Sequence, residues 1–371
     1  MKKLVLLLAL VAFASTPSLA QTGTVNNFKI HRGTNVSHWL SQSEARGEMR
    51  RLHIQEEDFA RLERLGFDFV RIPIDEVQFW DEQGNKLPEA WTLLTNALDW
   101  AGKHHLRAIV DLHIIRSHYF NAVNEGNGSA NTLFTSEKAQ QDLINLWYQL
   151  SDVLKGYSTD MVAYEFMNEP VADEHEQWNQ LVAKVHKALR SREPQRTLVV
   201  GSNRWQGYET MKYLKVPTGD KNIVLSFHYY NPMILTHYNA WWTPIGKYTG
   251  KVHYPGILVS KEDYDAAPDD IKPELEQYIK QVWDINKIRA DFADAISVAK
   301  KYGLQLFCGE WGFYEKTPRE MGLEWMKDML TVFNENNIAW TTWCYDADFG
   351  FWDQQHDCFK DKQQVDLLMG K

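Results

Sequence analysis

Cysteine is scarce in this chain. Cys308, Cys344 and Cys358 are the only three in 371 residues. So few exclude a disulfide framework, and their spacing is not that of a zinc site. Cys344 and Cys358 could close one loop in an oxidising compartment, which would leave Cys308 unpaired. Long apolar runs are confined to the first twenty residues, so no later stretch offers a membrane span. A surplus of positive charge is also missing. Forty Lys and Arg against 49 Asp and Glu give a formal charge of −9, which argues against a partner with a phosphate backbone, nucleic acid included. No Pro/Gly/Ser-rich linker, low-complexity block or tandem repeat divides the chain. The G-x-G-x-x-G loop of a doubly wound nucleotide-binding sheet is absent where it would be needed, since the first strand candidate ends in Arg32-Gly33-Thr34-Asn35.

What is present begins with an export signal. Lys2 and Lys3 precede the apolar run Leu4 to Phe13, and Ser18-Leu19-Ala20 makes a small-residue exit before Gln21. Residues 1–20 therefore read as a signal peptide. Residues 21–371 are expected to form a single domain, secreted or periplasmic and monomeric, of the size of one large α/β barrel. No cysteine stands at the cleavage edge, so no lipid anchor is expected. Aromatic residues are abundant, with 15 Trp, 16 Tyr and 17 Phe. Trp and Tyr in polar loops suit stacking against sugar faces, although a large core uses the same residues.

Eight short apolar runs, β-branched or aromatic and bounded by polar or breaking residues, read as strands. They are Phe28 to Asn35, Phe67 to Pro73, Leu106 to His113, Met161 to Met167, Thr197 to Gly201, Asn222 to Tyr229, Leu304 to Gly309 and Ile338 to Trp343. Helical periodicity fills the intervals: Glu56 to Leu65, Trp91 to Ala101, Ser136 to Leu154, Glu174 to Leu189, a shorter segment at Tyr208 to Leu214, then Pro273 to Lys301, Arg319 to Asn334 and Asp361 to Leu368. Strand and helix alternating eight times predicts a (β/α)8 TIM barrel with extended loops after strands 3 and 6.

The strand ends carry polar residues that a core would not choose. Tyr164-Glu165-Phe166-Met167-Asn168-Glu169-Pro170 stops an apolar run with an amide, a carboxylate and a proline. Phe307-Cys308-Gly309-Glu310-Trp311-Gly312 has the same shape. Arg71, Asp111, His113, His228, Tyr230 and Trp343 stand at other strand ends. In a barrel these ends converge on one face. Two carboxylates about 5 Å apart there permit double displacement at a glycosidic bond, one delivering a proton and the other attacking the anomeric carbon. Arg71 and Tyr230 could keep one of them ionised, Asn168 could hold a sugar 2-hydroxyl, and His113 and His228 could serve other hydroxyls or the acid/base carboxylate. Trp343 could floor the sugar. Each of these residues taken alone has a structural reading as an ion pair or a core group; their coincidence at successive strand ends does not. Asp111-x-His113, joined by His228, is the candidate for a metal, but further ligands are not evident and Asp111 reads as interior support. Glu165 reads as an interior pairing group.

These motifs resemble glycoside hydrolase family 5, the cellulase family of clan A. The resemblance runs from His31-Arg32-Gly33-Thr34-Asn35 through Arg71-Ile72-Pro73, Asp111-Leu112-His113, Met167-Asn168-Glu169-Pro170, His228-Tyr229-Tyr230 and Gly309-Glu310-Trp311-Gly312 to Trp343. It implies a retaining β-glycosidase with Glu169 as acid/base and Glu310 as nucleophile. Arg71, His113, Asn168, His228, Tyr230 and Trp343 would surround the sugar at the cleavage point. No metal or organic cofactor is implied. The expected substrate is a soluble or mixed-linkage β-glucan cut internally, with mannan, xylan, xyloglucan or small glycosides as alternatives, and a non-catalytic glycan-binding barrel as the reading from another class. Trp205, Tyr238, Trp241 and Trp242 are candidates for extra sugar subsites, or for packing of the long loops.

Overall fold

A computed structural model describes residues 26–122 and 124–371. The segment read as a signal peptide lies outside the described residues. Eight parallel strands close into a barrel in sequence order: β1 (Arg32–Asn35), β2 (Phe69–Asp75), β3 (Arg107–Ile114), β4 (Val162–Glu165), β5 (Leu198–Gly201), β6 (Ile223–His228), β7 (Gln305–Trp311) and β8 (Ala339–Thr342), with β1 hydrogen-bonded to β8. The expected (β/α)8 barrel is what the chain forms.

Strand alternation sorts the side chains into two cores. Val70, Ile72, Ala108, Val110, Leu112 and Cys308 belong to the large cluster shared with the surrounding helices. Their neighbours Phe69, Ile109, Ala163, Val199, Val224, Phe307 and Ala339 form a second cluster inside the barrel, as the period of two requires. Phe28 and Ile30 join that inner cluster although β1 starts only at Arg32. The stretch expected as strand from Phe28 is therefore partly a plug under the barrel.

Helices start and stop where local chemistry satisfies their free backbone groups. Gln55 and Asp58 make a reciprocal capping box for Glu56–Leu65. The Ser136 side chain caps Glu137–Leu154. One expected helix, Pro273 to Lys301, is two: Lys272–Lys280 and Ile285–Tyr302. Between them the Trp283 backbone exchanges two 2.8 Å hydrogen bonds with Gly256, which a helix does not allow. Asp284 then caps the second helix through the amides of Asn286 and Lys287. The strand expected through Met167 ends at Glu165, and the segment at Tyr208–Tyr213 is a 3-10 helix.

Both long βα connections are present. Between β6 and the helix Ile285–Tyr302 lie the short helices Met233–Thr236, Lys261–Ala266 and Lys272–Lys280. The bridge between Cys344 and Cys358 does not form: all three cysteines are free, with Cys344 buried and Cys358 exposed. Cys344 directs its sulfur to the Asp346 carbonyl, whereas Cys358 sits on a two-stranded hairpin, Trp352–Asp353 with Cys358–Phe359. No helix among the described residues is long and apolar enough to cross a membrane.

Candidate active site

Above the apolar layer the same alternation places polar side chains at the next inward positions. Arg71 lies two residues beyond Phe69, Asp111 beyond Ile109, Glu165 beyond Ala163, and Ser226 beyond Val224. Arg71 is fully buried and every N–H of its guanidinium is directed at an oxygen. Nε and Nη2 donate to Glu165 at 2.7 and 3.2 Å, and Nη2 donates to Asn168 Oδ1 at 2.8 Å. Nη1 donates to Asn35 Oδ1 and to Glu310 Oε1, both at 2.9 Å. Asp111 Oδ2 lies 3.1 Å from Nη2. A planar fork with fixed donors suits several acceptors at once, which an ammonium would not.

Glu310 is held at both oxygens. Oε1 takes the Arg71 bond and Oε2 accepts from the Tyr230 hydroxyl at 3.1 Å. Its position depends on a local irregularity: His228 pairs with Glu310 while Phe227 pairs with Cys308, so Gly309 is bulged out of register. The Gly309 carbonyl is anchored by Asn35 Nδ2 at 3.0 Å and Thr341 Oγ1 at 2.5 Å. A Cβ at Gly309 would stand 2.9 Å from both Ser226 Oγ and His228 Nε2, so only glycine fits the bulge.

Glu169 follows β4 with a left-handed backbone, φ 42°. A non-glycine residue there stores strain on the order of 1–3 kcal/mol, typical of functional sites. Its Oε1 lies 2.8 Å from His228 Nδ1, which is itself 3.6 Å from Glu310 Oε2. One oxygen of Glu169, one of Glu310 and a nitrogen of His228 lie within 4.8 Å of one another. Among the described residues this is the one set of three such groups near enough to share an ion. Asp111 and His113, the pair considered for a metal in the sequence, instead bond to each other at 2.6 Å.

The electrostatics follow from burial and a shortage of cations. Burial, then the charge of Glu310, push the Glu169 carboxyl well above the usual range. Burial raises Glu310 as well, but Arg71 opposes it. Asp111 is pushed up to about 7 by burial against the pull of Arg71. Burial lowers His113 to about 4 and holds His228 well below 6.5. Both imidazoles are neutral. The Gln42 and Asn168 amide nitrogens, 3.0 and 3.5 Å from His113 Nε2, make that nitrogen an acceptor, which puts the ring proton on Nδ1 toward Asp111.

Trp343 is buried and stacks on His113, with centroids 5.6 Å apart and planes within 10°. It packs with Phe349 and Tyr314. Trp242 continues this surface, 5.0 Å from Tyr314. Trp241 touches Trp242 and is 83% exposed. Tyr238 is occupied within its own loop, its one hydroxyl proton shared between the carbonyls of Thr249 and Gly250. The indole of Trp205 donates to the Phe120 carbonyl at 2.9 Å, tying the loop after β5 to the loop after β3.

Arg71, His113, Asn168, Glu169, His228, Tyr230, Glu310 and Trp343 thus come together at one end of the barrel. Asn35, Gln42 and Gln206 join them without having been singled out in the sequence. Asn35 stood at a strand end and could have been found by the rule that found Arg71. Gln42 lies in a loop and Gln206 ends the irregular one-turn helix Asn203–Gln206, where no pattern marks them. Gln206 donates to Glu165 Oε1 at 2.9 Å.

Known proteins bear on this arrangement. The family described as Cellulase (glycosyl hydrolase family 5) matches residues 25–349. Endoglucanase C of Acetivibrio thermocellus is 27% identical over 321 residues, covering 84% of this chain and 90% of that protein. Cellodextrinase A of Ruminococcus flavefaciens is 27% identical over 312 residues, covering 84% of each. Among solved structures, endoglucanase Cel5A of Thermotoga maritima superposes with a TM-score of 0.72 at 23% identity, covering 92% of this chain and 98% of that one.

Proposed function

The chain belongs to glycosyl hydrolase family 5, and from that premise we propose a retaining endo-β-1,4-glucanase that cuts soluble or mixed-linkage β-glucan. The observation that carries this reading is the unequal treatment of two neighbouring carboxylates. Glu310 receives Arg71 and Tyr230, whereas Glu169 faces a neutral histidine and the charge of Glu310. The first suits a nucleophile kept ionised, the second an acid that keeps its proton. Oxygens within 4.8 Å favour the short separation of retaining enzymes over the wider gap that admits a water.

In this mechanism Glu310 attacks the anomeric carbon while Glu169 protonates the departing glycosidic oxygen. A glycosyl ester forms on Glu310. Glu169, now ionised, takes a proton from water, which releases the sugar with its β configuration. Asn168 Oδ1 is engaged by Arg71 and its NH2 lies 3.5 Å from His113 Nε2, which leaves the other N–H for the sugar 2-hydroxyl. Trp343 floors the ring. Trp242 and the exposed Trp241 extend the stacking surface and serve as outer subsites. Trp205 and Tyr238 hold loops through their own hydrogen bonds.

The chain works as one catalytic domain over residues 21–371, as a monomer, exported to the periplasm or medium after loss of residues 1–20. A relative named endoglucanase and another named cellodextrinase support the glucan reading and keep a short-chain, exo-acting alternative open. Proton NMR during hydrolysis of a cello-oligosaccharide should show the β-anomer first; an initial α-anomer would sink the retaining assignment. Mixed oligosaccharides early in digestion of barley β-glucan are expected, while one small product, or preference for mannan or xylan, would redirect the substrate.

A further inference from the structure

Two buried polar atoms close to the catalytic carboxylates have no role in the mechanism. Ser226 Oγ and His228 Nε2 are both buried and have no hydrogen-bond partner among the described residues. They lie on one face of β6, two residues apart, and each is 2.9 Å from the point where a Cβ of Gly309 would stand. Gly309, bulged out of register, packs against both, and Ser226 pairs on its other side with Gly201, another residue without a side chain. Neither atom has another partner among the described residues, and a hydrogen bond between them, direct or through one water, would satisfy both.

We propose that Ser226 is a positioning residue that sets the tautomer of His228, its hydroxyl donating a hydrogen bond to Nε2 so that the imidazole proton stays on Nδ1 and is aimed at Glu169. The reasoning is proton accounting. Serine offers one proton and accepts readily, whereas neutral imidazole offers one proton and one lone pair. With Ser226 donating to Nε2, the lone pair is used there and Nδ1–H faces Glu169 Oε1 at 2.8 Å. That donation stabilises the ionised carboxylate, the form needed when Glu169 activates water. The opposite tautomer would point a lone pair at the carboxylate and favour its protonated form. The assignment rests on the reading of Glu169 as acid/base.

Other groups facing Glu169 and His228 are Arg71 on β2, Asp111 and His113 on β3, Glu165 on β4 and Glu310 on β7, with Tyr230 bonded to Glu310. A change at Ser226 leaves all of them in place.

The test reads the ring directly. In 15N-histidine-labelled protein, with His228 assigned by the signals lost in His228→Asn, the wild type should carry its proton on Nδ1 with Nε2 bare. Ser226→Ala should populate the Nε2–H form and Ser226→Thr should restore the original one. The alkaline limb of kcat/KM should move up by about one pH unit in Ser226→Ala, the worth of one hydrogen bond to a charged group, and return in Ser226→Thr. A wild-type ring protonated on Nε2 overturns the proposal without any variant, as does an unchanged ring in Ser226→Ala. Failure of the acid/base reading is separate: it appears as undiminished turnover in Glu169→Gln, whatever the state of the ring.

Discussion

The two ends of the barrel interior share one alternation and have opposite chemistry. At the end where the strands begin, Phe69, Ile109, Ala163, Val199, Val224, Phe307 and Ala339 close on Phe28 and Ile30, all within 1% of full burial. Where the strands finish, Arg71 meets Asp111, Glu165 and Glu310, with Glu169 beside them. One guanidinium therefore pairs with three carboxylates while a fourth stands beside them, and the nearby histidines are neutral. A site this short of cations favours protonated carboxyls, and the push is strong at Glu169, which Arg71 does not bond. The apolar end contributes stability that the polar end spends on placing charge.

The largest effect expected from breaking this contrast is chemical. Glu310→Gln should lower kcat by roughly 10⁴-fold or more while the thermal midpoint holds or rises, because a buried charge is removed. A collapsed midpoint with turnover retained would reverse the roles assigned to the two ends. Arg71→Met comes next. It leaves Asp111, Glu165 and Glu310 buried without their cation and should cost about 3–5 kcal/mol in urea unfolding, together with turnover. Phe69→Ala attacks the other end. A loss of about 3–5 kcal/mol is expected, with kcat/KM of the folded enzyme unchanged; a large kinetic defect would mean that the apolar layer also sets the site.

Smaller changes sharpen the comparison. Folding holds the Glu169 carboxyl well above 4.5, so the folded state binds that proton more tightly than the unfolded chain does. The stability tied to it is complete below pH 4.5 and declines as pH rises through the folded value. Glu169→Gln removes this decline. Its midpoint should exceed that of the wild type by a margin that widens from acid toward neutral pH, and a margin independent of pH would contradict the cation shortage. Smallest is Trp241→Ala, expected to raise KM several-fold on β-glucan, leave an aryl glucoside unaffected and not move the midpoint.

Much of this was legible along the chain. Short apolar runs ending in Asn168-Glu169-Pro170 or Gly309-Glu310 announce strands whose far ends are polar, and eight of them with helical periods between leave few architectures. Interruptions were less visible. The break between Lys280 and Ile285 depends on Gly256, a residue remote in sequence that pairs with Trp283. Cys344 and Cys358 have a spacing compatible with a bridge, but one is buried and the other lies exposed on a hairpin. Gln42 reaches His113 from a loop and Gln206 reaches Glu165 from a single irregular turn, whose course no periodicity reports.

The chain alone carries the barrel, its charge-bearing rim and the identity of the residues gathered there, because alternation and strand-end polarity are local properties. The division of labour between Glu169 and Glu310 is not local. It depends on Arg71 and Tyr230 reaching one carboxylate and His228 the other, and on a bulge at Gly309 that aligns them. Those distances exist only once β2, β4, β6 and β7 are brought around the same axis, since a pKa depends on which charges lie a few ångströms away and not on neighbours in sequence.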